Sequence, residues 1–138
     1  MKQSISMGWK EAMSFETTLN GHKIILDADE AVGGTDKGPR PKALLLVSLA
    51  GCTAMDVISI LGKMRVQPEA FRIETDGELT EEHPKYYHKL HLRYVFKGKD
   101  LPVDKLEKAV SLSQERYCGV SAMLSKAATI THEIVIES

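Results

Sequence analysis

Two cysteines stand where chemistry could be done: Cys52, in LAGCTAMDV, and Cys118, in ERYCGVSAML. Cys52 falls within an apolar run, and burial there raises a thiol's pKa because it penalises the thiolate. The positive end of its helix is too distant to compensate, so a reactive Cys52 needs a cation delivered from elsewhere. Gly51 beside it costs a helix roughly 1 kcal/mol, which a closely approaching substrate or backbone explains as well as tight helix packing does. Cys118 lies at a break between two predicted helices, near the start of the second, where a helix terminus lowers thiol pKa values. With 65 residues between them, only the fold can bring the two together. If it does, the pair gives peroxide reduction. One thiolate attacks the O–O bond and becomes a sulfenic acid, and the second thiol condenses with it to a disulfide. Otherwise both read as small buried hydrophobes.

Other side chains compete for attention. Asp56 follows Cys52 by four residues and shares its helix face; it could steer a proton, but its charge disfavours a thiolate. His83, His88 and His91 form H-x4-H-x2-H, yet 88 and 91 point to opposite faces of a strand, so one metal cannot easily take both. Lys37, Arg40 and Lys42 sit in a Gly/Pro loop whose backbone N–H groups could cradle an anion, or which is simply solvated. Tyr86, Tyr87, Tyr94 and Phe96 read as sheet packing. No GxGxxG, Walker sequence or Ser/His/Asp spacing is present.

The elements that must position these residues are legible from periodicity. Ser4–Lys10 and Met13–Leu19 read as strands, Asn20-Gly21 as a tight turn, and His22–Asp27 as the returning partner. The loop AVGGTDKGPRP, Ala31–Pro41, holds three glycines and two prolines and ends this sheet. From about Pro41 to Met64 a long helix is predicted, so apolar from Leu44 to Leu61 that it should be buried on nearly all sides, by a wrapping sheet or a second subunit. Ala70–Leu79 and Tyr86–Lys97 alternate as strands. A helix follows from Leu101 to about Arg116, another over Val120–Ala128, and a final strand over Ile130–Ile136. The order βββ–α–ββ–αα–β calls for an α+β fold.

Composition bounds the function classes. The chain has 138 residues, one ordinary domain's length, with 43% hydrophobic and 27% charged residues, so a packed core is expected without staples. Eighteen Lys+Arg against nineteen Asp+Glu leave a net charge of −1, which lacks the long-range pull of a nucleic-acid binder. The longest apolar run, Ala43 to Met55, is short of the about 20 residues a bilayer requires, so no membrane partner is expected. The N-terminal MKQSISMGWKEAM has no signal-peptide core, and two cysteines are too few for a disulfide scaffold and too far from a C-x-x-C spacing to suggest zinc. The expected location is the cytoplasm.

Read together, GTDKGPRPKALLLVSLAGCTAMDVISIL and ERYCGVSAMLSKAATITHEI resemble the OsmC/Ohr family, in its OsmC-like branch, and WKEAMSFETTLNGHKIILDADEAVGG suits the same branch. The resemblance covers essentially the whole chain. It implies a single OsmC-like domain over residues 1–138, with an antiparallel sheet, a long buried central helix, and an intertwined homodimer in which each central helix lies against the other subunit. It also implies thiol-dependent reduction of organic hydroperoxides or hydrogen peroxide, with Cys52 peroxidatic and Cys118 resolving. No metal or organic cofactor is implied, and a thiol reductant such as a lipoylated protein would restore the dithiol. The family pattern has a Glu shortly before the first cysteine and an upstream Arg that holds thiolate and peroxide. Here Lys42 and Ala43 occupy the Glu stretch, and no arginine precedes Arg40. Arg40 and Lys42 are therefore the candidate substrate-binding cations. The same departures leave a second reading, an OsmC-fold small-molecule-binding or redox-sensing protein without peroxidase activity.

Overall fold

The computed structural model describes residues 1–138, which divide into two compact units, 1–45 and 46–138. In the first, β1 (Gly8–Glu11), β2 (Ser14–Leu19) and β3 (His22–Leu26) form an antiparallel meander in the order β1-β2-β3. Asn20 and Gly21 close β2 onto β3 with φ of 52° and 81°, the positive values that a two-residue hairpin turn demands. The expected strand from Ser4 begins only at Gly8, although Ser6 still contributes its carbonyl to Thr17 Oγ1 at 2.7 Å.

The loop after β3 is organised by one carboxylate. Asp27, only 3% exposed, accepts the backbone N–H groups of Ala28 (2.7 Å), Thr35 (3.3 Å) and Lys37 (3.1 Å) and the Thr35 hydroxyl (3.0 Å). The amides that could have cradled a foreign anion thus already hold the chain's own. Its glycines answer to space: a Cβ at Gly34 would lie 2.0 Å from the Ala28 carbonyl oxygen, and one at Gly38 would lie 2.1 Å from that of Ile25.

In the second unit, β4 (Ala70–Leu79), β5 (Tyr87–Lys97) and β6 (Thr129–Glu137) form a sheet in the order β4-β5-β6. β4 and β5 pair antiparallel, but β6 runs parallel to β5, so the sheet is mixed rather than antiparallel as expected. The reason is the connection. Chain leaving β5 passes through α2 (Val103–Leu112), a π-helical turn (Ser113–Tyr117) and α3 (Gly119–Leu124), and such a crossover returns it to the end where β5 began. α2 is therefore shorter than the helix expected to reach Arg116, its last turn having opened into the π form.

The long helix α1 spans Leu44–Lys63, within the expected limits. Within one chain, its burial is confined to one face. Leu49, Thr53, Val57 and Leu61, spaced four apart, are fully buried, whereas Val47 and Met55 are 65% and 76% exposed. One stripe, not the whole circumference, enters this chain's core, where it joins Leu90, Leu92, Tyr94 and Phe96 of β5 and Leu106 and Val110 of α2. At 20 residues, α1 also exceeds the apolar run read from sequence and is long and apolar enough to cross a bilayer by length and composition, as core helices of soluble proteins also are. Phe71 of β4 stacks on its register partner Phe96 at 4.5 Å, closing the sheet end of the core.

Two outcomes follow for the Asp27 loop. Gly38→Ala should destabilise the protein by about 1–3 kcal/mol through overpacking, read from urea unfolding. Backbone donors, that of Lys37 foremost, hold the Asp27 carboxyl below its ordinary value of 3.8. Its contribution to stability is then fully present above that value and lost as pH falls through the lower folded value. Asp27→Asn should flatten the acid limb of a Tm-against-pH profile below about pH 4, and an unchanged limb would contradict the assignment.

Candidate active site

The site begins with a buried threonine. Thr53 follows Cys52 on α1, and its Oγ1 lies 2.7 Å from Tyr94 Oη on β5 and 2.7 Å from Ser113 Oγ on the π turn. The directions of these bonds can be derived. Ser113 Oγ donates to Asp56 Oδ2 at 2.9 Å, because a carboxylate can only accept. Having spent its single proton, Ser113 must accept from Thr53. Thr53 in turn must accept from Tyr94, and Tyr94 accepts from Gln114 Nε2 at 2.6 Å. A one-way chain therefore runs Gln114 to Tyr94 to Thr53 to Ser113 and ends on Asp56. Burial pushes the Tyr94 phenol above its usual pKa, which keeps it the donor this chain requires.

Asp56 stands one helical turn from Cys52, and the π turn delivers Cys118 to the same place. Cys118 N–H donates to Ser113 O at 2.8 Å, the five-residue bond that defines the turn. The Cys52 sulfur, the Cys118 sulfur and an Asp56 carboxylate oxygen all lie within 4.8 Å of one another. Cys118 is buried and Cys52 half-buried, and neither is in a disulfide. Cys118 also caps α3, its sulfur accepting the Ser121 N–H at 3.3 Å. Burial pushes the Cys52 thiol above its ordinary pKa, and Cys118 and Asp56 push it the same way. A backbone hydrogen-bonding contribution from Val120 pulls it down. Chemically, this is a dithiol with an amide donor to the Cys118 sulfur and an acidic neighbour.

Residues 34–133 match the family described as OsmC-like protein. The chain belongs to this family. It is 36% identical over 125 residues to Protein YhfA of Escherichia coli K12, covering 90% of each chain. The structure of a hypothetical protein from Aquifex aeolicus VF5 superposes with a TM-score of 0.83 at 31% identity, over 100% of this chain and 99% of that one. An organic hydroperoxide resistance protein OsmC from Legionella pneumophila matches with a TM-score of 0.71 over 98% of this chain and 97% of that one; at 15% identity it shows the shared fold alone.

Within this OsmC-like chain, the remaining sequence candidates go elsewhere. Arg40 binds the carboxylates of Asp36 and Asp29 and the Gly38 carbonyl, all within residues 1–45, and Lys42 is exposed. His88 lies 3.8 Å from Glu78, while His91 lies 3.2 Å from Glu133 and 2.7 Å from the Thr131 hydroxyl, so each is engaged on its own face. Thr53, Ser113 and Gln114 were not anticipated, and Tyr94 was taken for packing. One signal for Tyr94 was available: it follows Leu90 and Leu92 at inward-facing strand positions, and a phenol buried there needs a hydrogen-bond partner.

Thr53→Val removes the middle of the hydroxyl chain, leaving Tyr94 without an acceptor and Ser113 without a donor. A loss of about 1–3 kcal/mol is expected in urea unfolding, with a near-silent result arguing that water replaces the link. Asp56→Asn should move the pH midpoint of Cys52 alkylation downward, because the carboxylate opposes the thiolate.

Proposed function

We propose that the protein reduces hydroperoxides with Cys52 and Cys118 as a redox pair. The observation that carries this reading is the convergence of the two sulfurs across 65 intervening residues, with a backbone N–H donating to the Cys118 sulfur. The Cys52 thiolate attacks one oxygen of ROOH, the O–O bond breaks, and RO⁻ leaves as the alcohol after taking a proton. Cys52 is then a sulfenic acid. Attack by the Cys118 sulfur forms the disulfide and releases water, a net two-electron oxidation of the dithiol. An external dithiol, for which a lipoylated protein is the candidate, returns both thiols. The hydroperoxide-resistance name of the Legionella structure supports this reading by family.

The raised Cys52 pKa favours a second reading, a redox sensor or small-molecule binder that does not turn over peroxide. In the proposed working form the chain is a homodimer. Val47, Met55 and Ile58 are respectively 65%, 76% and 47% exposed along α1, and a Cβ at Gly51 would meet nothing within 4 Å. A second copy of the helix would cover this apolar face.

Wild-type protein given cumene hydroperoxide and a dithiol reductant should consume it, with loss of two hydrogens by mass spectrometry before reduction. Cys52→Ser should abolish turnover, and Cys118→Ser should leave a sulfenic acid that dimedone traps. A disulfide that forms without turnover would select the sensor reading. Sedimentation should show a dimer that Met55→Glu weakens at least tenfold, and an unaltered wild-type monomer at micromolar concentration would refute the assembly.

A further inference from the structure

We infer that Cys52, Cys118 and Asp56 form a binding site for a thiophilic divalent cation of filled d shell, with Zn²⁺ as the representative ion. Two thiolates and a carboxylate are a donor set that zinc accepts, with the fourth tetrahedral position left to water. Zn–S and Zn–O lengths of about 2.3 and 2.0–2.2 Å place such ligand atoms about 3.5–3.8 Å apart. The three donors here lie within 4.8 Å of one another, so a contraction of roughly 1 Å closes the site.

The surroundings fit a metal centre in three further respects. Ser113 Oγ holds Asp56 Oδ2 at 2.9 Å, which fixes the carboxylate's orientation and leaves its other oxygen to coordinate. Ser121 N–H donates to the Cys118 sulfur at 3.3 Å, the kind of outer contact that orients a ligating thiolate. Ser121 is itself 3% exposed, and its hydroxyl is buried with no hydrogen-bond partner. A metal-bound water is a partner of the right chemistry. The donors sit on α1 and at the N-terminal cap of α3, so an ion would cross-link these two elements.

Binding is an exchange of protons for metal. Each thiol loses one proton as its sulfur coordinates, the carboxylate contributes its charge, and no electron moves. The inference is independent of peroxide turnover, and a loaded site would shield both sulfurs from oxidation and alkylation.

The test is a titration of reduced, metal-free, full-length protein with Zn²⁺ against a chromogenic chelator, with Co²⁺ as spectroscopic probe. One equivalent per chain should bind, with one proton released for each thiol, and Co²⁺ should give thiolate charge-transfer absorption with the intense visible bands of a tetrahedral site. Cys52→Ser and Cys118→Ser should each abolish the charge-transfer signature of the pair, and Asp56→Asn should weaken Zn²⁺ binding at least about tenfold. Wild-type protein alkylated at both cysteines provides a variant that needs no refolding, and it should not bind. Binding that survives this alkylation would place the ion on histidines and overturn the inference, as would failure of the reduced protein to compete with the chelator. A protein that binds Zn²⁺ but never consumes peroxide would sustain this inference while refuting the proposed function, and the converse result separates them the other way.

Discussion

The hydroxyl of Thr53 is the interaction on which the site depends. It is fully buried and joins α1, β5 and the π turn through two bonds of 2.7 Å. Burying the three hydroxyls of Thr53, Tyr94 and Ser113 is costly unless each is paired, and a half-satisfied set is worse than an apolar core. Here the proton count works in one order only, from Gln114 inward to Asp56. The helix bearing Cys52 and the turn leading to Cys118 therefore cannot slide past each other without breaking a link. Apolar packing among Leu49, Val57, Leu92 and Leu106 supplies cohesion, but it tolerates small shifts. The hydroxyl chain supplies register.

The same chain creates a tension in the chemistry. It terminates on a carboxylate within 4.8 Å of both sulfurs, and that carboxylate works with burial against the Cys52 thiolate. A peroxidase needs the thiolate, and of the neighbours that act on Cys52 only the Val120 backbone favours it. A metal site resolves the tension differently, by placing a dication among donors that repel one another. The first unit treats its buried carboxylate differently, since amides of the loop gather on Asp27, whereas Asp56 accepts from the Ser113 hydroxyl.

Much of the fold was legible in the sequence because periodicity reports one-face burial directly. The Asn20-Gly21 turn, the strand pair from Ala70 to Lys97 and the limits of α1 all follow from patterns a few residues long. The parallel placement of β6 was not legible, because it depends on where the α2–α3 connection delivers the chain. What covers α1 was not legible either: composition shows that Val47 and Met55 are apolar, not what packs against them. At the site, Cys52, Asp56 and Cys118 were recognisable by type. Ser113 and Gln114 were not, since their roles arise from a π turn that no local composition announces. Arg40 drew attention as the first arginine in the chain, but its Asp29 and Asp36 partners lie nearby in the sequence, where ordinary loop ion pairs form.

The π turn makes chain length, more than residue type, the constrained quantity between Ser113 and Cys118. Glu115, Arg116 and Tyr117 are exposed, and Arg116 lies 5.8 Å from the Tyr117 ring centre, outside the buried hydroxyl chain. Their identities can drift with little effect on the interior. Their number cannot. Removing one would turn this stretch into ordinary helix and carry Cys118 around the axis by about 100°, out of reach of Cys52. Across related sequences, positions 115–117 should therefore accept substitutions freely, while the interval resists insertion and deletion wherever both cysteines are kept.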